Sequence, residues 1–126
     1  MVIDDDNTMV KILEKQLSSA GHRIIGNLSA EGAMKRLEME TPDLIVLDLM
    51  FKGIDGVGIA RQIRARKETK KTPIIFITAA LDVKSDKGDG KLVVDGESCP
   101  IFAKPIHIPK LLATIRKSLN RAENAS

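Results

Sequence analysis

The alternation of apolar and polar positions along the chain predicts strands and helices in turn. Val2 and Ile3 look like the end of a short buried strand, and residues 7–20 then carry apolar side chains at helical spacing. The runs LIVLDL (44–49) and PIIFIT (73–78) are nearly continuous in apolar residues, which is typical of parallel strands covered on both faces. Strands that alternate with helices predict an α/β domain with a doubly wound parallel sheet.

The remaining segments continue this alternation. They are a second strand at 23–26, a helix capped by Ser29, a basic helix from residue 58 to about 67, a short strand at 101–103 and a final helix with an apolar stripe from Ile108. We expect residues 1–120 to form the domain and residues 121–126 to be a polar tail or the start of a linker.

Composition excludes several classes of protein. With 126 residues, 43% hydrophobic and 29% charged, the chain is typical of one soluble globular domain, and no run approaches the roughly twenty apolar residues of a membrane span. Cys99 is the single cysteine, so no internal disulfide can form; together with the absence of a signal peptide this favours the cytoplasm. With no Trp, no Tyr and three Phe, the chain has almost nothing to stack on single-stranded nucleic acid, and we expect no direct nucleic-acid binding. The lack of an apolar span likewise predicts no membrane association.

Three consecutive aspartates, Asp4 to Asp6, follow the first strand. One explanation is a helix N-terminus, where a carboxylate caps free N–H groups. The other is a hard divalent cation such as Mg²⁺, which prefers carboxylate oxygens and offsets the repulsion between them. This stretch alone does not decide between the two.

Polar residues also end the other predicted parallel strands: Asp48 the third, Thr78 the fourth and Lys104 the fifth. Ligands of such sheets bind beyond the carboxyl ends of the strands, so these side chains should converge with Asp4 and Asp5. Asp5 and Asp48 can hold Mg²⁺, Asp48 can attack phosphorus as a nucleophile, and Thr78 and Lys104 can donate to phosphoryl oxygens. The set therefore fits phosphoryl transfer.

The chain resembles the response-regulator receiver domains of two-component signalling over nearly its whole length. The matching residues are DD at Asp4 and Asp5, LDL around Asp48, DG at 55–56, TAA from Thr78 and KP at 104–105. The resemblance implies a flavodoxin-like sheet of five parallel strands in the order 2-1-3-4-5.

The resemblance also implies a role for each matching residue. Asp48 would accept a phosphoryl group from a histidine kinase or histidine phosphotransfer protein and pass the signal to a downstream output protein or domain. Mg²⁺ would be held by Asp5, Asp48 and the backbone carbonyl of Met50, with Asp4 assisting through water. Thr78 and Lys104 would contact the phosphoryl group, and the peptide bond before Pro105 would be cis. Asp6 would only lead into the first helix.

The segment from about residue 81 to 100 departs from the family pattern. Family members have a fourth amphipathic helix here, but Gly88, Gly90 and Gly96 break any helical stripe. KLVV followed by DG at 95–96 is typical of a strand and a turn. We therefore predict that the fourth helix is lost or replaced by a loop with a hairpin. Ile101 occupies the position of the family's switch aromatic residue. The family's usual coupling of Thr78 to the rotamer of an aromatic side chain is therefore not expected to operate in the usual way.

Two further hypotheses accompany the phosphoacceptor switch. The first is a protein-interaction module on the same scaffold that acts without phosphorylation, through residues 81–100. The second is a Mg²⁺-dependent phosphatase, but that family needs an acid two residues after the nucleophile, where this chain has Met50.

A basic cluster on and after the third helix, most simply a solvated surface, could alternatively meet an acidic partner or phosphates. It comprises Arg61, Arg64, Arg66, Lys67, Lys70 and Lys71.

Overall fold

The structure, a computed structural model, describes residues 1–51, 54–79 and 90–125. In chain order the strands are β1 (Val2–Ile3), β2 (Gly26–Asn27), β3 (Ile45–Asp48), β4 (Met50–Phe51), β5 (Ile54–Asp55), β6 (Ile74–Thr78), β7 (Gly90–Val94) and β8 (Glu97–Ala103). The helices are α1 (Asn7–Ser19), α2 (Ala30–Leu37), α3 (Gly56–Arg64) and α4 (Ile108–Ala125), with a 3₁₀ turn at Lys67–Thr69.

The main sheet has the order β2-β1-β3-β6-β8-β7. Its first five strands are parallel and follow the predicted order 2-1-3-4-5, which confirms the flavodoxin-like fold. The sixth strand, β7, is antiparallel to β8 and extends the sheet at one edge. Strands β4 and β5 form a separate small pair between β3 and α3.

Apolar side chains fill the space on both faces of the sheet. On one face, Ala33 of α2 and Ile63 of α3 are buried with Phe76 of β6. On the other, Leu13 of α1 and Leu111 of α4 are buried together. Because both faces are covered, β3 and β6 are apolar along almost their whole length, as the sequence predicted.

Three element boundaries differ from the prediction. The second strand is Gly26–Asn27 rather than 23–26, and a Cβ on Gly26 would lie 2.6 Å from Val10 Cγ1 of α1, so this position needs a glycine. Helix α3 begins at residue 56 rather than 58 because the Asp55 side chain accepts a hydrogen bond from the Val57 N–H and caps it. Helix α4 continues to Ala125, into the residues predicted as a polar tail.

A hairpin occupies the second half of the segment that departs from the family pattern. β7 and β8 are joined by Asp95 and Gly96, whose φ angles of 49° and 83° are the pair that a type I′ turn requires. The predicted hairpin is thus confirmed for residues 90–100, while the prediction for residues 81–89 falls outside the described residues.

Two ion pairs join this hairpin to α3. Arg61 Nε lies 3.2 Å from Asp95 Oδ1 in the turn, and the Arg64 guanidinium pairs with the Glu97 carboxylate. Arg64 also donates a hydrogen bond to the Lys70 carbonyl oxygen at 3.2 Å. The basic cluster is therefore not only a solvated surface, because two of its arginines contact the hairpin.

We expect Gly96→Ala to lower the free energy of unfolding by about 1 kcal/mol, since a Cβ disfavours the positive φ at this position. Gly96→Asn is the matched variant, because asparagine adopts positive φ more readily, and its loss should be smaller. Urea denaturation of the three proteins measures the difference. Equal losses for Ala and Asn would show that the turn does not depend on this backbone conformation.

Candidate functional site

Four polar residues lie at the carboxyl ends of neighbouring parallel strands. Asp4 follows β1, Asp48 ends β3, Thr78 ends β6 and Lys104 follows β8. Asp4, Asp48 and Thr78 are buried, and Asp5 beside them is half-buried. The structure thus brings together the side chains that the strand-end argument selected.

Asp4 is fully buried and sits between a backbone donor and a cation. Its Oδ1 accepts a hydrogen bond from the Asp6 N–H at 3.0 Å, and its Oδ2 lies 2.9 Å from Lys104 Nζ. The Asp6 side chain in turn accepts from the N–H groups of Thr8 and Met9 and caps α1. Both explanations of the three aspartates therefore have a place: Asp6 is the helix cap, whereas Asp4 faces the site.

Asp48 has an environment that opposes its ionisation. The side chain is 5% exposed; its Oδ1 accepts a hydrogen bond from the Met50 N–H at 3.2 Å, and its Oδ2 lies 3.7 Å from Lys104 Nζ. Burial, followed by the negative charge of Asp4, raises the pKa of Asp48 to about 6, while the Lys104 ammonium and the Met50 N–H work in the opposite direction. A cation close to this carboxylate would reduce the free-energy cost of ionising it.

Lys104 is held at the site by the strand pairing. Its N–H donates to the Thr78 carbonyl oxygen at 2.8 Å, directly beyond the last β6–β8 pair. The Lys104–Pro105 peptide is cis, as predicted. Burial works to lower the pKa of the Lys104 ammonium, but the carboxylates of Asp4 and Asp48 outweigh it, and the pKa is raised. The amine therefore remains a cation facing two acids.

The acidic side chains have the chemistry of a magnesium site. Asp4, Asp5 and Asp48 each offer a carboxylate oxygen, and these atoms lie within 4.8 Å of one another. Within the described part of the chain, Asp4 Oδ2 is buried with no hydrogen-bond partner beyond its ion pair with Lys104. An incompletely satisfied carboxylate among hard oxygen donors suits Mg²⁺. The predicted contribution of the Met50 carbonyl stays a prediction.

The predicted switch position lies in the core. Ile101 is 5% exposed and pairs with Phe76 across the β6–β8 ladder, and the neighbouring Phe102 is buried on the other face of the sheet. An aliphatic side chain fixed in this way has no polar group to turn toward solvent.

Gly56 is a site residue whose role the sequence analysis missed. Its N–H donates to the Leu49 carbonyl oxygen at 2.6 Å, and a Cβ here would lie 2.9 Å from Leu49 Cα and would overlap the Asp48 carbonyl oxygen. The absence of a side chain lets α3 approach the backbone that carries Asp48. The DG motif at 55–56 was the signal: Asp55 caps α3, and Gly56 permits the contact.

The comparisons with known proteins agree with this geometry. The family model described as "Response regulator receiver domain" matches residues 1–116. The chain belongs to this family. Response regulators are signalling proteins of two-component systems, and the acidic site of this receiver lies where the strand ends meet.

Curated relatives of the receiver include two bacterial regulators. It is 36% identical over 126 residues to the transcriptional regulatory protein AfsQ1 of Streptomyces coelicolor, covering 100% of this chain and 53% of that protein. It is 32% identical over 126 residues to the alkaline phosphatase synthesis transcriptional regulatory protein PhoP of Bacillus subtilis, covering 100% and 50%. The chain thus spans about half the length of the curated relatives it matches.

Solved structures show the same fold. Response regulator TrrA of Thermotoga maritima, crystallised with Mg(2+)-BeF, is 26% identical with a TM-score of 0.74, over 93% of this chain and 95% of that one. A CheY-like receiver domain protein of Methanospirillum hungatei has a TM-score of 0.83 at 16% identity, over 99% and 95%, and supports the fold alone.

Across the described ranges, no helix is both long and apolar enough to cross a membrane.

We expect Gly56→Ala to lower the free energy of unfolding by about 2 kcal/mol, because the new methyl group must displace backbone next to Asp48. Gly58→Ala is the matched control: it lies in the same helix, and a Cβ there meets no atom within 4 Å, so it should be neutral or stabilising. Urea denaturation compares the two variants. Equal stability would contradict the close approach of α3 to the Asp48 backbone.

We expect the contribution of Asp48 to the free energy of unfolding to fall as pH rises. Its pKa is about 6 in the folded protein against 3.8 in the unfolded chain, so ionisation costs the folded state increasingly between these values. Below both values the carboxyl is protonated in either state and the cost disappears. Without divalent metal, Asp48→Asn should therefore gain stability over the parent protein as pH rises from about 4 to 7.

Denaturation of both proteins across this pH range measures the gain, and Glu38→Gln, which removes an exposed carboxylate, is the control. A difference between Asp48→Asn and the parent that stays constant with pH would contradict the raised pKa.

Proposed function

We propose that the chain is a phosphoacceptor switch that receives a phosphoryl group on Asp48 from a histidine kinase or histidine phosphotransfer protein, with Mg²⁺. The observation that carries this proposal is the convergence of Asp48 with Asp4, Asp5, Thr78 and Lys104 at adjacent strand ends. We expect it to act in the cytoplasm on a downstream output protein or domain, without itself contacting nucleic acid or a membrane.

Each side chain has a part in the proposed transfer. A carboxylate oxygen of Asp48 attacks the phosphorus of a phosphohistidine, the P–N bond breaks, and its electron pair returns to the imidazole. Lys104, already 3.7 Å from Asp48, and Thr78 would bind the transferred oxygens. Asp4, Asp5, Asp48 and the Met50 carbonyl would hold Mg²⁺, which supplies charge neutralisation. The chain would therefore catalyse only its own phosphorylation and dephosphorylation.

The relatives support this proposal. TrrA was solved with Mg(2+)-BeF, and AfsQ1 and PhoP are transcriptional regulators about twice the length of this chain. An output function in a further domain or a separate protein is consistent with these lengths.

A second function is favoured by the hairpin. The structure replaces helix by strand at residues 90–100, and Ile101 is buried without a polar group, so this surface has a shape that differs from the family expectation. The receiver could act here as an interaction module whose contacts do not depend on phosphorylation. Unchanged partner affinity upon phosphorylation would distinguish this function from the switch.

We expect one phosphoryl adduct after incubation with acetyl phosphate and Mg²⁺, and none after chelation of Mg²⁺ or in Asp48→Asn. Intact mass spectrometry measures the adduct. Asp6→Asn is the matched control, because it also removes an aspartate near the site, yet asparagine caps a helix equally well, and it should keep the adduct.

An unmodified mass for the folded parent protein with Mg²⁺ would contradict the phosphoacceptor function and favour the interaction module. An adduct that persists in Asp48→Asn would place the modification elsewhere.

A further inference from the structure

A groove separates β6 from β8 at the end of the sheet opposite Asp48. The two strands pair only from Phe76 and Ile101 onward, so their first halves are not bonded to each other. Pro73 at the start of β6 and Ser98 of β8 line the opening, whose volume is about 410 Å³. Because β6 runs from this groove to Thr78, the groove and the acidic site lie at opposite ends of one strand.

Pro100 lies directly before the first paired position of β6 and β8. Val94 and Glu97 flank a two-residue turn, so they form a hydrogen-bonded pair, and alternation turns the backbone of Ser98 and Pro100 away from β7 and toward β6. Proline has no N–H, so Pro100 cannot donate a hydrogen bond to β6. The β6–β8 ladder therefore lacks one hydrogen-bond donor on the side of the groove.

The groove carries an excess of positive charge. Four cations line it, against one acid, Glu97, which is already paired with Arg64. The other three are Lys71, Lys91 and Arg121, all exposed, and none of them has an ion-pair partner within residues 1–51, 54–79 and 90–125. Three exposed, unpaired cations around one concave surface attract an anionic partner.

Apolar groups lie among these cations. Pro73, Ile74, Pro100 and Ala122 contribute to the lining, and Pro73 and Pro100 are half-buried. We propose that the groove binds an extended acidic segment of a partner protein, whose carboxylates meet Lys71, Lys91 and Arg121 and whose apolar side chains lie against the two prolines.

The shape and charge of the groove favour this occupant over two others. A rigid nucleic-acid duplex is too wide to enter an opening of about 410 Å³ and would not reach the apolar lining. A second copy of the chain that presented the same surface would bring three more cations against the first three. An extended chain can enter the opening, and acidic side chains complement its charge.

The test uses a fluorescein-labelled peptide of about ten residues that alternates Glu and Leu, and a matched peptide with Gln in place of Glu. Fluorescence anisotropy should show that the receiver binds the acidic peptide, more weakly as salt is added, and binds the Gln peptide at least roughly tenfold more weakly. Lys91→Glu with Arg121→Glu should weaken binding by about tenfold.

Lys11→Glu with Lys15→Glu is the matched control, since it makes the same charge change at exposed lysines of α1 and should alter affinity by less than about twofold. Circular dichroism of each variant checks the fold. Amide chemical shifts of the parent protein should change at Lys71, Lys91, Ser98 and Arg121 when the acidic peptide is added.

Several results would overturn the proposal. The first is that the acidic peptide does not bind at low salt, and the second is that the Gln peptide binds equally well. The third is that the α1 control loses as much affinity as Lys91→Glu with Arg121→Glu, and the fourth is that the amide chemical shifts change only outside the groove. Concentration-dependent self-association with shifts at the same four residues would identify a second copy as the occupant instead. Displacement of the peptide by a DNA duplex whose own shifts map to these residues would identify nucleic acid.

Discussion

The burial of like charges at the ends of β1 and β3 is the constraint on which the acidic site depends. Asp4 and Asp48 are both out of water, and one ammonium, Lys104, faces them at 2.9 and 3.7 Å. Burial, followed by the negative charge of Asp4, raises the pKa of Asp48, and the single Lys104 ammonium offsets this only in part. A divalent cation beside these carboxylates would supply the missing positive charge and lower the cost of ionising Asp48.

The parallel sheet supplies the precision that this balance needs. The β3–β6 and β6–β8 registers place Asp48 beside Ile77 and Thr78 beside Ala103, and the Lys104 N–H continues the ladder to the Thr78 carbonyl. On the other side, Gly56 lets α3 rest on the backbone at Asp48. Hydrogen bonds between neighbouring backbone segments thereby fix the Cα position of each charged residue.

The strands and the meeting of polar residues at their ends could be predicted because both follow from short, local signals, whereas the strand order came from the resemblance to receiver domains. Apolar runs that end in Asp48 and Thr78 define a strand and its functional end together, and Gly96 identifies a turn by its own backbone preference. The DG motif marks Gly56, but neither the backbone that Gly56 meets nor the pairs Arg61–Asp95 and Arg64–Glu97 could be predicted in the same way. They depend on which elements pack together, and the paired arginines and acids are more than thirty residues apart.

The hairpin shows how a family scaffold can change at one edge and keep the acidic residues at its strand ends. Strand β8 is seven residues long: its first residues face β7 and the groove, while its last residues pair with β6 next to Lys104. Pro100 stands between the two parts, at the last position before the β6 ladder begins. Three parallel residue pairs between β6 and β8 therefore lie between the hairpin side and the acidic site. Two surfaces with opposite charge, one acidic and one basic, are thus carried at the two ends of the same strand.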